Sequence, residues 1–328
     1  MRKLTSEELE QLIEEGWKAY EEQEFEQAAD TASQLIEAGE ESGYILLANV
    51  RQEEEDMPGA EALLREGMEK LPESWQIPQH LGTLLSAKGE LDAALEVFDV
   101  ADQHVTEDER DFIRMSRATV YYQQQAFDAA LEALQAIEHP DLVFDALSYQ
   151  MTILDEQEEY AEIIDMAEDA LAELPDPEST EDVDALSRIY MHIASAWWHK
   201  EKDKETATDY IREAVELDRS NPDTLWLIRE INGVRSEKAR LFSLLVSGQL
   251  EDENANPVDF LATYAAIADS EEEALEMIRD FEVEAVDKDS LKVVESASDD
   301  NEDDDPKGLY MVGEFGFFSG DEEEEEEA

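Results

Sequence analysis

The sequence predicts a mainly α chain: about six stacked helical hairpins forming an α-solenoid, a covering helix, and then a small C-terminal α+β domain. Three observations carry that expectation. Small and large apolar residues recur at fixed offsets about every 34 residues between residues 9 and 221, as in helix pairs that bury a face only against their neighbours. Beyond about residue 238 the apolar spacing changes from a helical period to alternation, which marks strands. The formal charge of -64, from 88 acidic and 24 basic residues, opposes compaction by self-repulsion, and a stack of hairpins spreads that charge out.

Thr5 and Glu8 have capping-box spacing, and Leu9, Leu12, Ile13, Gly16, Trp17 and Tyr20 follow at helical period, so the first helix starts near residue 6. Repeat one spans about 9–42, with Gly16 at the small first-helix position and Phe25, Ala28, Ala32 and Leu35 on the second helix. Repeat two, about 41–74, carries Leu47, Ala48, Ala60, Leu64 and Gly67 and closes on Pro72, which cannot continue a helix. Repeat three, about 75–108, is the most regular: Leu81, Gly82, Leu85, Gly89-Glu90-Leu91, Ala94, Phe98 and Ala101. Repeat four, about 111–140, has Ala118, Tyr121, Phe127, Ala130, Leu134 and Ile137 and ends at Pro140.

Repeat five, about 144–177, puts Met151 and Ile163 where the others have small residues, so its pair is expected to pack less tightly; Leu154, Tyr160, Ala167, Ala170 and Pro175 keep the frame. An insertion loop is expected at 176–183. Repeat six, about 188–221, carries Ala194, Ser195, Trp198, Ala207, Ile211 and Ala214. Asn221 then reads as an N-cap with Pro222 in the first turn. The covering helix at about 223–236 contains Leu225, Trp226, Ile228 and Ile231.

The C-terminal order is strand, strand, helix, strand, strand (ββαββ). Phe242, Leu244, Val246 and Leu250 alternate with polar residues, a second strand covers Phe260–Ala268, and Ser270 and Glu273 cap a helix with Ala274, Leu275, Ile278 and Phe281 on one face. Two further strands are expected at Leu291–Val294 and Leu309–Phe318. Asp299–Asp305 is too acidic to pack and is expected to be a loop, and Asp321–Glu327 a disordered tail. The expected domains are therefore 1–237, 238–320 and the tail 321–328.

On the small and large apolar offsets quoted for the six repeats, residues about 9–237 resemble a tetratricopeptide repeat (TPR) array. The resemblance implies a non-enzymatic scaffold or adaptor for protein–protein interaction, with a partner peptide or segment held in a groove lined by the first helix of each pair. On this register the lining includes Ile13, Trp17 and Tyr20; Asn49 and Gln52; Gln79, Thr83 and Ser86; Met115, Thr119 and Tyr122; Ser148, Thr152 and Asp155; and His192, Ala196 and His199. The carboxylate clamp of Lys, Arg and Asn found in some members of that family is disfavoured, because Asn49 stands nearly alone among those types, with Lys200 at the far end. Amide and aromatic side chains suit an extended or helical peptide. For Trp17, Tyr20 and Tyr122, packing between neighbouring repeats weighs equally.

The charge makes nucleic acid and anionic membranes poor partners and favours a basic protein. An equal reading is adaptation to a salt-rich cytoplasm, which would make the acidity a solubility trait. A further alternative is sequestration of basic proteins or cations by the acidic tail. The absence of cysteine removes disulfides and thiolate chemistry. The N-terminus shows no signal-like apolar stretch and no long apolar run occurs, so a cytoplasmic protein is expected.

No cofactor, metal site or enzyme activity is expected. His192 and His199 are seven residues apart, not the adjacent-turn spacing of paired metal ligands. Asp299–Asp303 alternates oxygen ligands, but Asp304 and Tyr310 occupy the places of the required Gly and Glu of a calcium loop. Gly308, Gly313, Gly316 and Gly320 are interleaved with aromatic residues in a strand pattern and mark bulges or close strand contacts rather than a phosphate loop. The exposed side of that aromatic strand is a candidate docking edge. A ligand-binding or enzymatic role for residues 238–320 finds support only in paired acids such as Asp259 and Asp269.

Overall fold

The computed structural model describes residues 5–171, 183–251, 256–282, 285–301 and 305–317. The expected insertion loop up to residue 182, and the tail 321–328 with Phe318, lie outside them. The chain divides between Ile153 and Leu154 into two compact units.

The first unit consists of helical hairpins: α1 (Ser6–Glu21) with α2 (Phe25–Ala38), α3 (Glu41–Glu53) with α4 (Met57–Lys70), α5 (Gln76–Ala87) with α6 (Leu91–Ala101), and α7 (Arg110–Gln123) with α8 (Phe127–Gln135). Most of α9 (Val143–Glu156) follows. The capping box forms as read: the Glu8 amide donates to Thr5 Oγ1 at 3.2 Å, and the Thr5 amide donates to Glu8 Oε2 at 2.8 Å. The small residues fall where helices close on each other. A Cβ on Gly82 of α5 would lie 2.3 Å from Cε1 of the fully buried Phe98 on α6. Ala48, Ala60, Leu64, Leu81, Leu85, Ala94 and Phe98 belong to one apolar core.

Inside each hairpin a left-handed residue reverses the chain. In the first unit these are Gln23, Glu55, Gly89 and Gln125, with φ of 60°, 62°, 78° and 59°. Only Gly89 adopts that conformation without steric cost.

The second unit contains α10 (Tyr160–Ala170), α11 (Val183–Ala196), a π-helical turn at Trp197–Glu201, α12 (Lys204–Leu217) and α13 (Pro222–Asn232). It continues through β1 (Arg240–Glu251), β2 (Pro257–Ala268), α14 (Glu271–Phe281), β3 (Val286–Asp300), β4 (Gly308–Val312) and the short β5 (Gly316–Phe317). Asn221 accepts from the Asp223 and Thr224 amides as the expected N-cap, and the covering helix stops at Asn232 because Gly233 turns left-handed behind it.

The sheet is antiparallel with spatial order β3-β1-β2-β4, and β5 pairs with β2. Its inner face, including Leu244, Val246, Phe260, Ala262, Tyr264 and Ala266, packs with Ala274 and Ile278 of α14 and Leu225 of α13.

Met151 and Ile163 are fully buried. Two local expectations change. The expected strand at 309–318 is interrupted between Val312 and Gly316. The acidic stretch from Asp299 is not wholly a loop: Asp299 and Asp300 extend β3 opposite Leu241 and Arg240. An edge strand keeps its carboxylates in water, and Arg240 lies 3.5 Å from the Asp300 carboxylate.

Candidate functional site

In the first unit α1, α3, α5 and α7 are successive neighbours, and the residues expected to line a groove lie on them. Trp17 and Tyr20 meet edge to face at 5.8 Å, and the Tyr20 hydroxyl donates to Glu53 of α3 at 3.1 Å. Burial, reinforced by the Glu53 bond and charge, raises the Tyr20 pKa and keeps it a donor. Gln52 Nε2 donates to Asn49 Oδ1 at 3.2 Å. Gln79 Nε2 donates to Ser116 Oγ at 2.9 Å, and Ser86 Oγ donates to Gln123 Oε1 at 3.1 Å, both joining α5 to α7. Thr83 is exposed, and its hydroxyl donates to the Gln79 carbonyl. Thr119 donates to the Met115 carbonyl and Thr152 to that of Ser148. Met115 and Tyr122 pack on the α7–α9 core, where Tyr122 meets Tyr149 at 5.4 Å.

These side chains are therefore partly committed to joining successive first helices. A primary amide offers four hydrogen-bonding positions, so one inter-helix bond per Gln leaves capacity for the backbone of a bound segment. Apart from exposed Thr83 and buried Ser86, the members of this set on α1, α3, α5 and α7 are half-buried, a surface of aromatic faces and amides.

In the second unit, His192 and His199 do not converge. His192 is buried, with Nδ1 2.8 Å from Asp155 Oδ2, and Ser195 Oγ donates to Asp155 Oδ1 at 3.2 Å. The serine and the imidazole both turn to the carboxylate, an arrangement that ties α11 to the end of α9. His199 sits in the π-helical turn, stacked on Tyr160 at 5.0 Å, with Nε2 3.5 Å from Glu230 Oε2. Glu230 Oε1 accepts from Trp198 Nε1 at 3.0 Å. Burial, and then the charges of Asp155, Glu158 and Glu230, push the Tyr160 pKa up. Glu230 escaped sequence reading because only the π-turn rotates Trp198 and His199 together onto α13. Among the described residues no group of three His, Asp or Glu side chains could hold a metal ion.

The aromatic segment after β4 is held rather than open along its length. Phe315 meets Phe260 at 4.4 Å and lies under the Arg219 guanidinium at 3.8 Å, while Phe317 is 57% exposed. Arg219 donates to the Gly313 carbonyl and Arg229 to that of Leu309.

No family model matches the chain, and no curated protein matches it. Among solved structures it is similar to the Pseudomonas aeruginosa protein pilF, at 16% identity and a TM-score of 0.50 over 68% of this chain and 97% of that one. It is also similar to a chain of the APC/C hetero-tetramer Cut9-Hcn1, at 13% identity and a TM-score of 0.50 over 68% of this chain and 42% of that one. A tetratricopeptide repeat protein from Parabacteroides merdae aligns at 14% identity and a TM-score of 0.49, covering 68% of this chain and 85% of that one. The fold is mainly α and TPR-like, with a small antiparallel sheet region at the C-terminal end. Among the described residues no helix is long and apolar enough to cross a membrane.

Proposed function

We infer that this protein is a non-enzymatic interaction scaffold that holds an extended or helical segment of a partner protein on the faces of its first helices. The observation that carries the reading is the row α1, α3, α5, α7, on which half-buried aromatic and amide side chains at Trp17, Tyr20, Asn49, Gln52, Gln79 and Tyr122 accompany exposed Thr83. Such a surface grips a peptide backbone through amides and its side chains through aromatic faces. The charge of -64 favours a basic segment and speeds its capture, so association slows steeply with added salt.

The test places a photo-crosslinking amino acid at Thr83, and in a second protein at exposed Glu69 on the second helix of the preceding hairpin. In cells of the source organism, Thr83 gives a discrete adduct that Glu69 does not. Equal labelling from both positions removes the first-helix face as the binding surface.

A further inference from the structure

Within the second unit, α12 and α13 face α14, β4 and the start of β3 across a cleft of about 740 Å³, a volume typical of sites for small organic ligands. Its walls are apolar: Ile211 and Val215 from α12, Ile228 and Ile231 from α13, Met277 and Phe281 from α14. Cations stand on both sides, Lys204 and Arg212 on the α12 side and Lys288 and Lys307 on the other.

The lining also holds four acids, of which Glu216 and Asp280 are exposed. Glu282 is fully buried against Arg219 and the Tyr264 hydroxyl, and Glu273 is paired with Lys307. Lys204, Arg212 and Lys288 are exposed. Arg212 reaches Asp209 only across solvent, at 3.2 Å, a pair of small worth. The lining carries four cations against four acids, where the whole chain carries 24 against 88. The cleft thus combines apolar walls with local relief from the negative field that the chain otherwise projects.

We propose that this cleft binds a small apolar organic anion, whose hydrocarbon or aromatic body lies against Ile228, Ile231, Met277 and Phe281 and whose carboxylate or sulfonate meets Lys204, Arg212 and Lys288. The site is separate from the first-helix faces and stands whether or not those faces bind a segment. A chain of charge -64 repels anions in general, so anion selectivity here is a property of the cleft.

The experiment titrates the folded full-length protein with 1-anilinonaphthalene-8-sulfonate, read by fluorescence. The expected result is a saturable one-site component, displaced by dodecanoate and not by dodecyltrimethylammonium. The double charge reversal Lys204→Glu/Lys288→Glu, at two exposed positions and with unchanged circular dichroism, weakens that component at least about tenfold. Ile228→Trp, which fills the cleft, removes it. Retention of full affinity in either variant overturns the proposal, and so does displacement by the ammonium amphiphile as effective as that by dodecanoate.

Discussion

Replacing Gly82 with alanine adds one methyl group at the closest approach of α5 and α6. The new Cβ would stand 2.3 Å from Cε1, 2.7 Å from Cδ1 and 2.8 Å from Cζ of Phe98. Ordinary contact needs about 3.5 Å or more, so the ring must retreat by roughly 1 Å inside a close-packed core. Phe98 is fully buried and has no solvent side to retreat to. Overpacking of this kind costs about 1–3 kcal/mol. Alanine recovers up to about 1 kcal/mol of helix propensity over glycine, so Gly82→Ala is expected to lose about 1–2 kcal/mol.

Gly16→Ala is the informative comparison, because its Cβ would meet the side-chain ends Leu46 Cδ2 at 2.7 Å and Thr31 Cγ2 at 3.1 Å. Leu46 and Thr31 are buried too, but single methyl groups give way more readily than the edge of a rigid ring, and the loss should be smaller. Gly89→Ala isolates the backbone: nothing lies within 4 Å of its Cβ, but φ is +78°, giving a cost of about 1 kcal/mol from the left-handed conformation alone. Phe98→Leu in the Gly82→Ala background makes room for the methyl, and the pair should couple favourably by about 1 kcal/mol or more. Stacked hairpins can open one by one, so the assay is hydrogen exchange resolved over residues 76–101 alongside urea denaturation. If Gly82→Ala matches the original protein in exchange protection there, or shows no coupling with Phe98, the close-approach argument is wrong.

Asp111 is buried and accepts from the Glu138 and His139 amides at 2.9 and 2.8 Å while pairing with Arg114. Burial alone would raise its pKa, but the two amides and the guanidinium outweigh it and hold the carboxyl below its ordinary value. A folded pKa below the unfolded one means that the unfolded chain takes up the proton first as pH falls. The stabilisation is therefore complete above about pH 4 and is lost as pH drops through the depressed value. Asp111→Asn should cost about 1–3 kcal/mol near neutrality, and the gap should close in strong acid; urea midpoints for both proteins from pH 7 to 2.5 check it, a pH-independent gap being the contrary result. Arg219→Met strands the Glu282 carboxylate beside Tyr264 and should cost about 3–5 kcal/mol, with Arg219→Met/Glu282→Gln recovering much of it; a single variant as stable as the original in chemical denaturation would refute the clamp. Gln125→Gly relieves a left-handed residue at φ 59° and should raise stability by about 0.5–1 kcal/mol net of the extra freedom of glycine in the unfolded chain, seen as a higher melting temperature; a lower one contradicts it.

The hairpins were legible because close helix approach leaves a visible trace: Gly16, Ala48 and Gly82 mark it, and the larger partner Phe98 sits at a fixed offset. The reversals inside the hairpins were not. Gln23, Glu55, Gln125, Glu158 and Lys202 all hold positive φ, a conformation whose usual sequence signal is glycine or asparagine. Composition misled at β3, since acidic residues read as solvated loop, yet an edge strand exposes most of its side chains and tolerates charge there. For the candidate surface, helical period identifies which side chains share a face. It does not show that Gln79 reaches Ser116 and Ser86 reaches Gln123, because that depends on how far one hairpin is displaced from the next. The meeting of Trp198 and His199 with Glu230 depends on one π-helical turn, for which the sequence carries no marker.

The scarcity of cations in this chain explains where the arginines stand. Arg51 donates to the Gly59 carbonyl, Arg114 to Ala136, Arg219 to Gly313, Arg229 to Leu309 and Arg279 to Leu291. The acceptors lie in the first turn of α4, just past the end of α8, and on or beside the edge strands β3 and β4. A guanidinium can reach such an oxygen and a carboxylate together because its donors fan out in a plane, as Arg114 does with Asp111 and Arg219 does with Glu282. A lysine ammonium offers no such fork, and a neutral donor leaves the nearby carboxylate uncompensated. These arginines therefore do local structural work that does little to reduce the outward negative field. The lysines and Arg212 around the α12–α14 cleft differ in kind: Lys204, Arg212 and Lys288 extend from exposed positions. On a surface so deficient in positive charge, a recess whose lining balances four cations against four acids opposes an anion far less than the remaining surface does, and its apolar walls supply the rest of the attraction.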